Sequence, residues 1–213
     1  MAKNIKAIYA EGAREFARQL IARDFTDEEL ADAVGALDDA TLKVVKKSGA
    51  DELRIEIEHP QIKEQHRWMR RDLNGDLLIF NYRFYKQLGT PQGIALDSFQ
   101  RQVGGARALG VKRIETFAAG DFLSALQPDG EVGYLVWAKF GFDAPLPEKF
   151  RWQVARNPTL AGVMTLNELI ARPGGEKWWQ DFGSGLKMVF DLSPGSSMME
   201  MFRNYLRRKG RLV

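Results

Sequence analysis

The chain has 213 residues, of which 45% are hydrophobic and 28% charged, and a net charge of +3 at pH 7. That composition is typical of an ordinary globular protein and not of a disordered one. The sequence contains no run of 18 apolar residues, so no transmembrane helix is predicted. The absence of cysteine excludes disulfides, thiolate catalysis and cysteine-ligated zinc.

The two histidines leave little for a histidine-rich metal centre, so we expect no metal. The first residues are charged and lack the apolar core of a signal peptide. We therefore expect a cytoplasmic protein without a membrane partner.

The first 50 residues are predicted to be helical. Apolar positions in 3–23 recur near helical spacing, and Thr26 with Glu29 forms a capping box that begins a second helix ending near Val34. A third helix is predicted from Asp38 and Asp39 to Gly49, with three lysines at its negative end.

The pattern changes to strands at Asp51. Leu53, Ile55 and Ile57 alternate with charged residues, which predicts a half-buried strand. Two further strands, 66–73 and 77–86, flank Asn74-Gly75, the strongest hairpin signal in the chain.

A glycine-bearing turn at 88–95 introduces the next part of the chain. The elements predicted next are a helix 96–110, a strand 112–118, a helix 134–140 and a loop-rich passage at Pro145–Pro158. A capping box at Thr165 and Glu168 predicts a further helix, which is followed by a strand 186–192. A capping box at Ser197 and Glu200 predicts the last helix. Trp178 and Trp179 are adjacent, so one is expected in the core and the other partly exposed. We predict three parts: a helical segment 1–50, a core 51–150 and a C-terminal extension 151–213.

Residues 77–142 resemble the core of the GNAT N-acetyltransferase superfamily. The matching stretches are Gln92–Ala95, Phe99–Val103, Leu109–Thr116 and Lys139–Phe142. The wider pattern also resembles uncharacterised bacterial proteins with a GNAT-like middle. The resemblance implies an α+β fold with a mixed, mostly antiparallel sheet flanked by helices.

The resemblance also implies a cofactor, acetyl-CoA or another acyl-CoA. In that superfamily the turn before the helix binds the pyrophosphate, which here corresponds to Gln92, Gly93, Ile94 and Ala95. Amides at a helix N-terminus point at an anion, and glycine lets the backbone approach it closely. Thr90 replaces the expected Gln or Arg, and Pro91 removes an amide, so an ordinary strand-to-helix turn is the alternative.

The resemblance indicates the acid and the base of such a reaction less directly than it indicates the cofactor-binding turn. Trp137 stands where many members of the superfamily have the tyrosine that protonates the thiolate, and Tyr134, nearly one turn earlier, is the substitute. Candidate bases are Glu115 and Glu58, with Glu56, Asp121 and His59 as further possibilities. For each of these side chains a purely structural role is the alternative.

Two functions remain open from the sequence. The first is an acyl-CoA-dependent N-acyltransferase that transfers directly to an amine on a small molecule or a protein. The second is a non-catalytic GNAT-like scaffold that binds a protein partner or its own copies, for example in a phage-derived or self-assembling particle. Nucleic acid is expected only through residues 203–213, which hold five basic residues and no acid.

Overall fold

The computed structural model describes residues 4–127 and 130–211. These residues form seven strands and nine helices, so the predicted α+β class is confirmed. The chain divides into two compact units, residues 1–114 and 115–213. The three-part division at residues 50 and 150 stays a prediction.

The first unit is built on five strands that lie side by side in chain order. Strands β1 and β2 are parallel, and the pairs from β2 to β5 are antiparallel. The elements of this unit are β1 (Lys6–Tyr9), α1 (Ala13–Ile21), α2 (Asp27–Val34), β2 (Thr41–Lys46), β3 (Glu52–Glu58), β4 (Ile62–Arg71), β5 (Leu77–Lys86) and α3 (Ile94–Ala108), and β6 (Arg113–Asp121) begins at its end.

The helices of this unit pack on one face of the five strands. The period-two pattern in β3 turns Leu53, Ile55 and Ile57 inward, where each is at most 2% exposed. Helix α1 contacts β2 and β3, α3 contacts β5, and α2 packs along α3. The predicted capping box at the start of α2 is present, with Thr26 Oγ1 accepting from the Glu29 amide.

The hairpin between β4 and β5 confirms the Asn74-Gly75 prediction. Asp72 Oδ1 accepts from the amides of Asn74 and Asp76 at 2.8 and 2.9 Å. Arg113 Nη1 donates to Asp72 Oδ2 at 2.7 Å, and this hydrogen bond lowers the pKa of the Asp72 carboxyl. The turn is therefore held by a side chain as well as by its own backbone.

Two predictions for the N-terminal segment are wrong. The third helix does not exist, because residues 41–46 form β2, in which Leu42 and Val44 are buried and Val45 is exposed. The β-branched residues and the alternation of buried and exposed positions favour a strand. Asp39, just before this strand, has a φ of 68°, which is incompatible with a continuous α-helix there. The single helix expected over 3–23 is instead β1 followed by α1, separated at Gly12.

The second unit contains the rest of β6 and mostly short helices. Its further elements are α4 (Phe122–Ala125), α5 (Gly133–Lys139), α6 (Glu148–Val154), α7 (Leu166–Ala171), α8 (Gly175–Phe182), β7 (Ser184–Asp191) and α9 (Ser197–Arg208). Strand β6 lies beside β7, and α5 and α9 contact β7. The passage predicted to be loop-rich contains α6.

Side-chain predictions for this unit are mostly confirmed. Trp179 is fully buried and Trp178 half-buried, as expected from their adjacency. The capping box at Thr165 and Glu168 is present. The cap of α9 is Ser196, whose Oγ accepts from the Met199 amide at 3.2 Å, so the assignment to Ser197 was wrong by one residue.

Candidate functional site

The N-terminus of α3 has no side-chain cap. Gly93 is its N-cap with a φ of 105°, a conformation that glycine adopts without strain, and no side chain caps the helix. The amides of Ile94, Ala95 and Leu96 therefore begin the helix without an intrahelical acceptor. These amides and the helix dipole together favour an anion at this position.

A cleft of about 730 Å³ lies at this helix end, within the first unit. Gln92 and Ile94, two of the four predicted cofactor-binding residues, line it. The other lining residues come from α2 and the loop after it, from the β3–β4 turn, from the loop before α3, and from one face of α3: Asp32, Leu37, Asp38, His59, Gln61, Pro91, Asp97, Gln100, Arg101, Gly104 and Gly105.

The loop before α3 is fixed to the β3–β4 turn. Thr90 Oγ1 donates to the Gln61 carbonyl at 2.9 Å, and the Gln87 amide donates to the same carbonyl at 3.0 Å. Thr90, which departs from the superfamily pattern, is therefore a structural anchor of the loop. The anchor holds Gly93 and the start of α3 against the cleft.

His59 presents a hydrogen-bond donor to the cleft. Its Nδ1 accepts from the Gln61 amide at 3.1 Å, so the neutral ring carries its proton on Nε2. His59 lines this cleft and also a second cleft of about 410 Å³ between the ends of β2, β3 and β4. In this tautomer Nε2–H can donate a hydrogen bond to a ligand, while Nδ1 is occupied by the Gln61 amide.

The charges in the larger cleft are mixed. Arg101 Nη2 pairs with Asp38 at 2.9 Å, and its Nη1 donates to the Ala36 carbonyl at 2.7 Å. Its Nε lies 3.8 Å from Asp32. Arg101 therefore supports the loop between α2 and β2, and three carboxylates, those of Asp32, Asp38 and Asp97, line the cleft with it. Anion binding in this cleft would depend on the amides at the start of α3.

Glu58, one predicted base, lies in the smaller cleft at the end of β3. Its Oε1 accepts from Lys43 Nζ at 2.5 Å, and this hydrogen bond raises the pKa of the Lys43 ammonium. Both side chains are about half exposed, so a substrate could displace the lysine at little cost. Glu58 and the four predicted cofactor-binding residues all belong to the first unit.

Glu115 and Tyr134, the other predicted catalytic residues, belong to the second unit. Glu115 is buried on β6, and its Oε2 lies 3.2 Å from Lys187 Nζ on β7. Tyr134 is fully buried on α5, and its hydroxyl donates to the Gln180 carbonyl at 2.8 Å. Burial raises the pKa of the Tyr134 hydroxyl, and the nearby Asp121 and Asp181 carboxylates raise it further.

The polar face of α3 was not predicted from the sequence. Asp97, Gln100, Arg101 and Gly104 recur at spacings of three and four, which places them on one side of a helix. From that spacing, a polar helix face lining a cleft could have been predicted. The contributions of Asp32 and Asp38 depend on tertiary packing and had no local signal.

Neither a metal site nor a membrane span emerges from residues 4–127 and 130–211. This part of the chain holds no group of three or more His, Asp or Glu side chains that could bind a metal ion. None of its helices combines the length and apolarity that crossing a bilayer requires.

Comparison with known proteins gives no family. No protein-family model matches the chain, and no curated protein matches it.

Proposed function

We propose that this protein is an acyl-CoA-dependent N-acyltransferase whose cofactor diphosphate binds at the N-terminus of α3. The observation that carries the proposal is the uncapped first turn of α3, with Gly93 in the left-handed conformation, at the edge of the larger cleft. The order of elements from β4 to α5 also resembles that of the GNAT superfamily. Fold resemblance alone does not establish an activity, so the helix terminus is what the experiment must test.

The reaction requires one proton acceptor and one proton donor. The amine nitrogen attacks the thioester carbonyl carbon, the carbon–sulfur bond breaks, and the amine loses a proton while the CoA thiolate gains one. Glu58 is our candidate for the acceptor, since its carboxyl group is about half exposed, lines the smaller cleft and precedes His59 in the chain. The proton that Glu58 takes from the amine then passes to the thiolate. His59 Nε2–H is our candidate for a hydrogen bond to the thioester carbonyl oxygen, and the Tyr134 hydroxyl is no longer our candidate donor, because it is already bonded to Gln180.

The non-catalytic scaffold is the second candidate. It is favoured by Tyr134 and Glu115, whose contacts with Gln180 and Lys187 are those of structural residues in the second unit. On this reading the protein would bind acyl-CoA or a partner without turnover. The two candidates differ in one measurable product, which is free CoA thiol.

The test combines calorimetry with a thiol assay. Acetyl-CoA should bind saturably, and Ala95→Asp should weaken binding by about tenfold or more, because a carboxylate in the first turn repels phosphate while it favours the helix itself. Ser197→Asp makes the same change in the first turn of α9, in the other unit, and should bind like the wild type. Absence of binding at millimolar acetyl-CoA would overturn the proposal.

Turnover is then measured as thiol released on incubation with a panel of amines. The chain has no cysteine, so a thiol reagent reports only CoA. Release that falls in Glu58→Gln and His59→Gln, with acetyl-CoA binding retained, supports the enzyme and the two roles. Binding without release from any amine supports the scaffold.

A further inference from the structure

A cluster of polar side chains from β4, β5 and α3 is buried in the first unit. Its members are each at most 2% exposed: Gln65, Arg67, Asn81, Ser98 and Gln102. Most of their groups are satisfied. Asn81 and Gln102 exchange two amide hydrogen bonds of 2.8 and 2.9 Å, and Ser98 Oγ donates to the Gly35 carbonyl at 2.6 Å.

Arg67 is the exception in this cluster. Its Nη1 donates to the carbonyls of His66 and Arg83 at 3.0 and 2.9 Å, and the guanidinium lies 5.9 Å from the centre of the Phe84 ring. Its Nε is buried and has no acceptor in the described part of the chain. Within that same part, its Nη2 has no acceptor and no carboxylate pairs with the guanidinium.

A buried cation without a counter-charge is costly, and such groups in proteins are normally paired. Burial lowers the pKa of Arg67 to about 9, which leaves the guanidinium charged at neutral pH. The Nε and Nη2 hydrogens point in parallel from one edge of the planar group. That edge matches the two oxygens of a carboxylate.

Gln65 supplies a second orphan atom on the same face. Its Nε2 donates to the carbonyls of Val34 and Gly35, and these can only accept, so the orientation of the amide is fixed. Its Oε1 is buried and lacks a donor among the described residues. Because Gln65 and Arg67 are two residues apart on β4, both turn inward.

We propose that the Nε–Nη2 edge of Arg67 binds the carboxylate of a small organic acid inside the first unit. The Gln65 carbonyl oxygen then accepts from a hydroxyl or amine on the same acid. A hydroxy acid such as glycolate satisfies both orphan groups, whereas acetate satisfies only the arginine. This site is independent of the proposed acyl-CoA site, and acyl-CoA takes no part in its test.

The direct measurement follows the Arg67 Nε–H signal in ¹⁵N-labelled full-length protein. The signal is assigned by its contact with the Phe84 ring and by its loss in Arg67→Lys. Glycolate, acetate, inorganic phosphate and chloride are titrated at constant ionic strength. We expect a saturable shift with both carboxylates, tighter for glycolate, and none with chloride or phosphate.

Thermal unfolding gives a second readout. A carboxylate at a hundredfold excess over its Kd should raise the midpoint by roughly 5 to 10 °C relative to chloride. Arg67→Lys keeps the positive charge but loses the paired Nε–H and Nη2–H donors. A carboxylate should therefore no longer raise the unfolding midpoint of this variant relative to chloride. Arg83→Lys, on the exposed side of the neighbouring strand and paired with Glu64, should keep it.

The wild-type titration decides the proposal even if Arg67→Lys fails to fold. An Arg67 signal that responds to no carboxylate, or to phosphate alone, overturns it. So does an equal gain in unfolding midpoint from chloride and carboxylates.

Discussion

Tyr134 ties α5 to α8 inside the second unit. Its hydroxyl donates to the Gln180 carbonyl, and its own carbonyl accepts from Trp179 Nε1 at 3.0 Å. Trp179 also packs edge-on against Phe150, with ring centres 5.3 Å apart. A tyrosine held in this way acts as a core residue with a satisfied hydroxyl.

Replacing Tyr134 by phenylalanine tests this structural role. The variant should lose about 1–3 kcal/mol of unfolding free energy, because the Gln180 carbonyl is left without its buried donor. CoA release, if the protein catalyses it, should be unchanged. Urea denaturation and the thiol assay measure the two effects.

Tyr82→Phe is the matched control for this substitution. Tyr82 is 42% exposed and stacks on Trp68 at 4.3 Å, so loss of its hydroxyl should change stability by less than about 0.5 kcal/mol. A Tyr134→Phe variant that is as stable as the wild type but releases no CoA would return Tyr134 to the role of catalytic acid.

At the scale of elements, α2 and α3 approach closely at Gly105. A Cβ built there would overlap the Asp32 carbonyl carbon and the Ala33 amide nitrogen. Gly104, its neighbour on α3, is exposed and would place a Cβ in open space. Adjacent glycines therefore serve different purposes in one helix.

The two alanine substitutions should have opposite effects. Gly105→Ala should destabilise the protein by about 1–3 kcal/mol, because backbone atoms of α2 cannot give way without moving the helix. Gly104→Ala should stabilise it by about 0.5–1 kcal/mol through the helix propensity of alanine. Chemical denaturation of both variants checks the signs, and equal effects would contradict the close approach.

Elements specified by local chemistry could be predicted from the sequence. The capping boxes at Thr26 and Thr165 and the Asn74-Gly75 turn depend on neighbouring residues, and each was predicted correctly. Strand β2 was mistaken for a helix because Asp38 and Asp39 resemble a helix start, while its strand character comes from pairing with β1 and β3.

The candidate site was predicted only in its local part. Gln92 and Ile94 at the larger cleft came from the turn motif before α3, whereas Asp32, Asp38 and Gln61 reach that cleft through tertiary packing. Buried Arg67 had no signal either, since arginine in an alternating strand normally indicates the exposed face. A single sequence does not report which face of β4 is covered.

At the scale of the whole molecule, the net charge of +3 is local. Residues 203–213 carry five basic residues, and the rest of the chain has 26 basic against 28 acidic residues, a net charge of −2. Helix α9 also supplies core residues, among them Phe202 and Leu206, which are 2% and 3% exposed. Truncation at residue 203 would therefore remove part of the core together with the charge.

Three substitutions can remove the charge while keeping the core. Arg203, Arg207 and Arg208 are partly or fully exposed and, in the described part of the chain, have no carboxylate partner. Their combined replacement by glutamine changes the net charge from +3 to 0. We expect the wild type to bind a heparin column at low salt and this variant to flow through, because a cluster of unpaired cations attracts a polyanion more strongly than scattered pairs do.

The control variant removes the same charge from the first unit. Arg14, Lys43 and Arg83 each pair with a carboxylate, Asp27, Glu58 and Glu64 respectively. Their replacement by glutamine also brings the net charge to 0 but leaves α9 intact, so heparin retention should persist. Both variants should remain folded, since exposed ion pairs contribute only about 0–1 kcal/mol and each of the two arginines in the last turn of α9, Arg207 and Arg208, about 0.3–1 kcal/mol. If the two variants elute together, retention follows net charge, and α9 is not the surface that an anionic partner would contact.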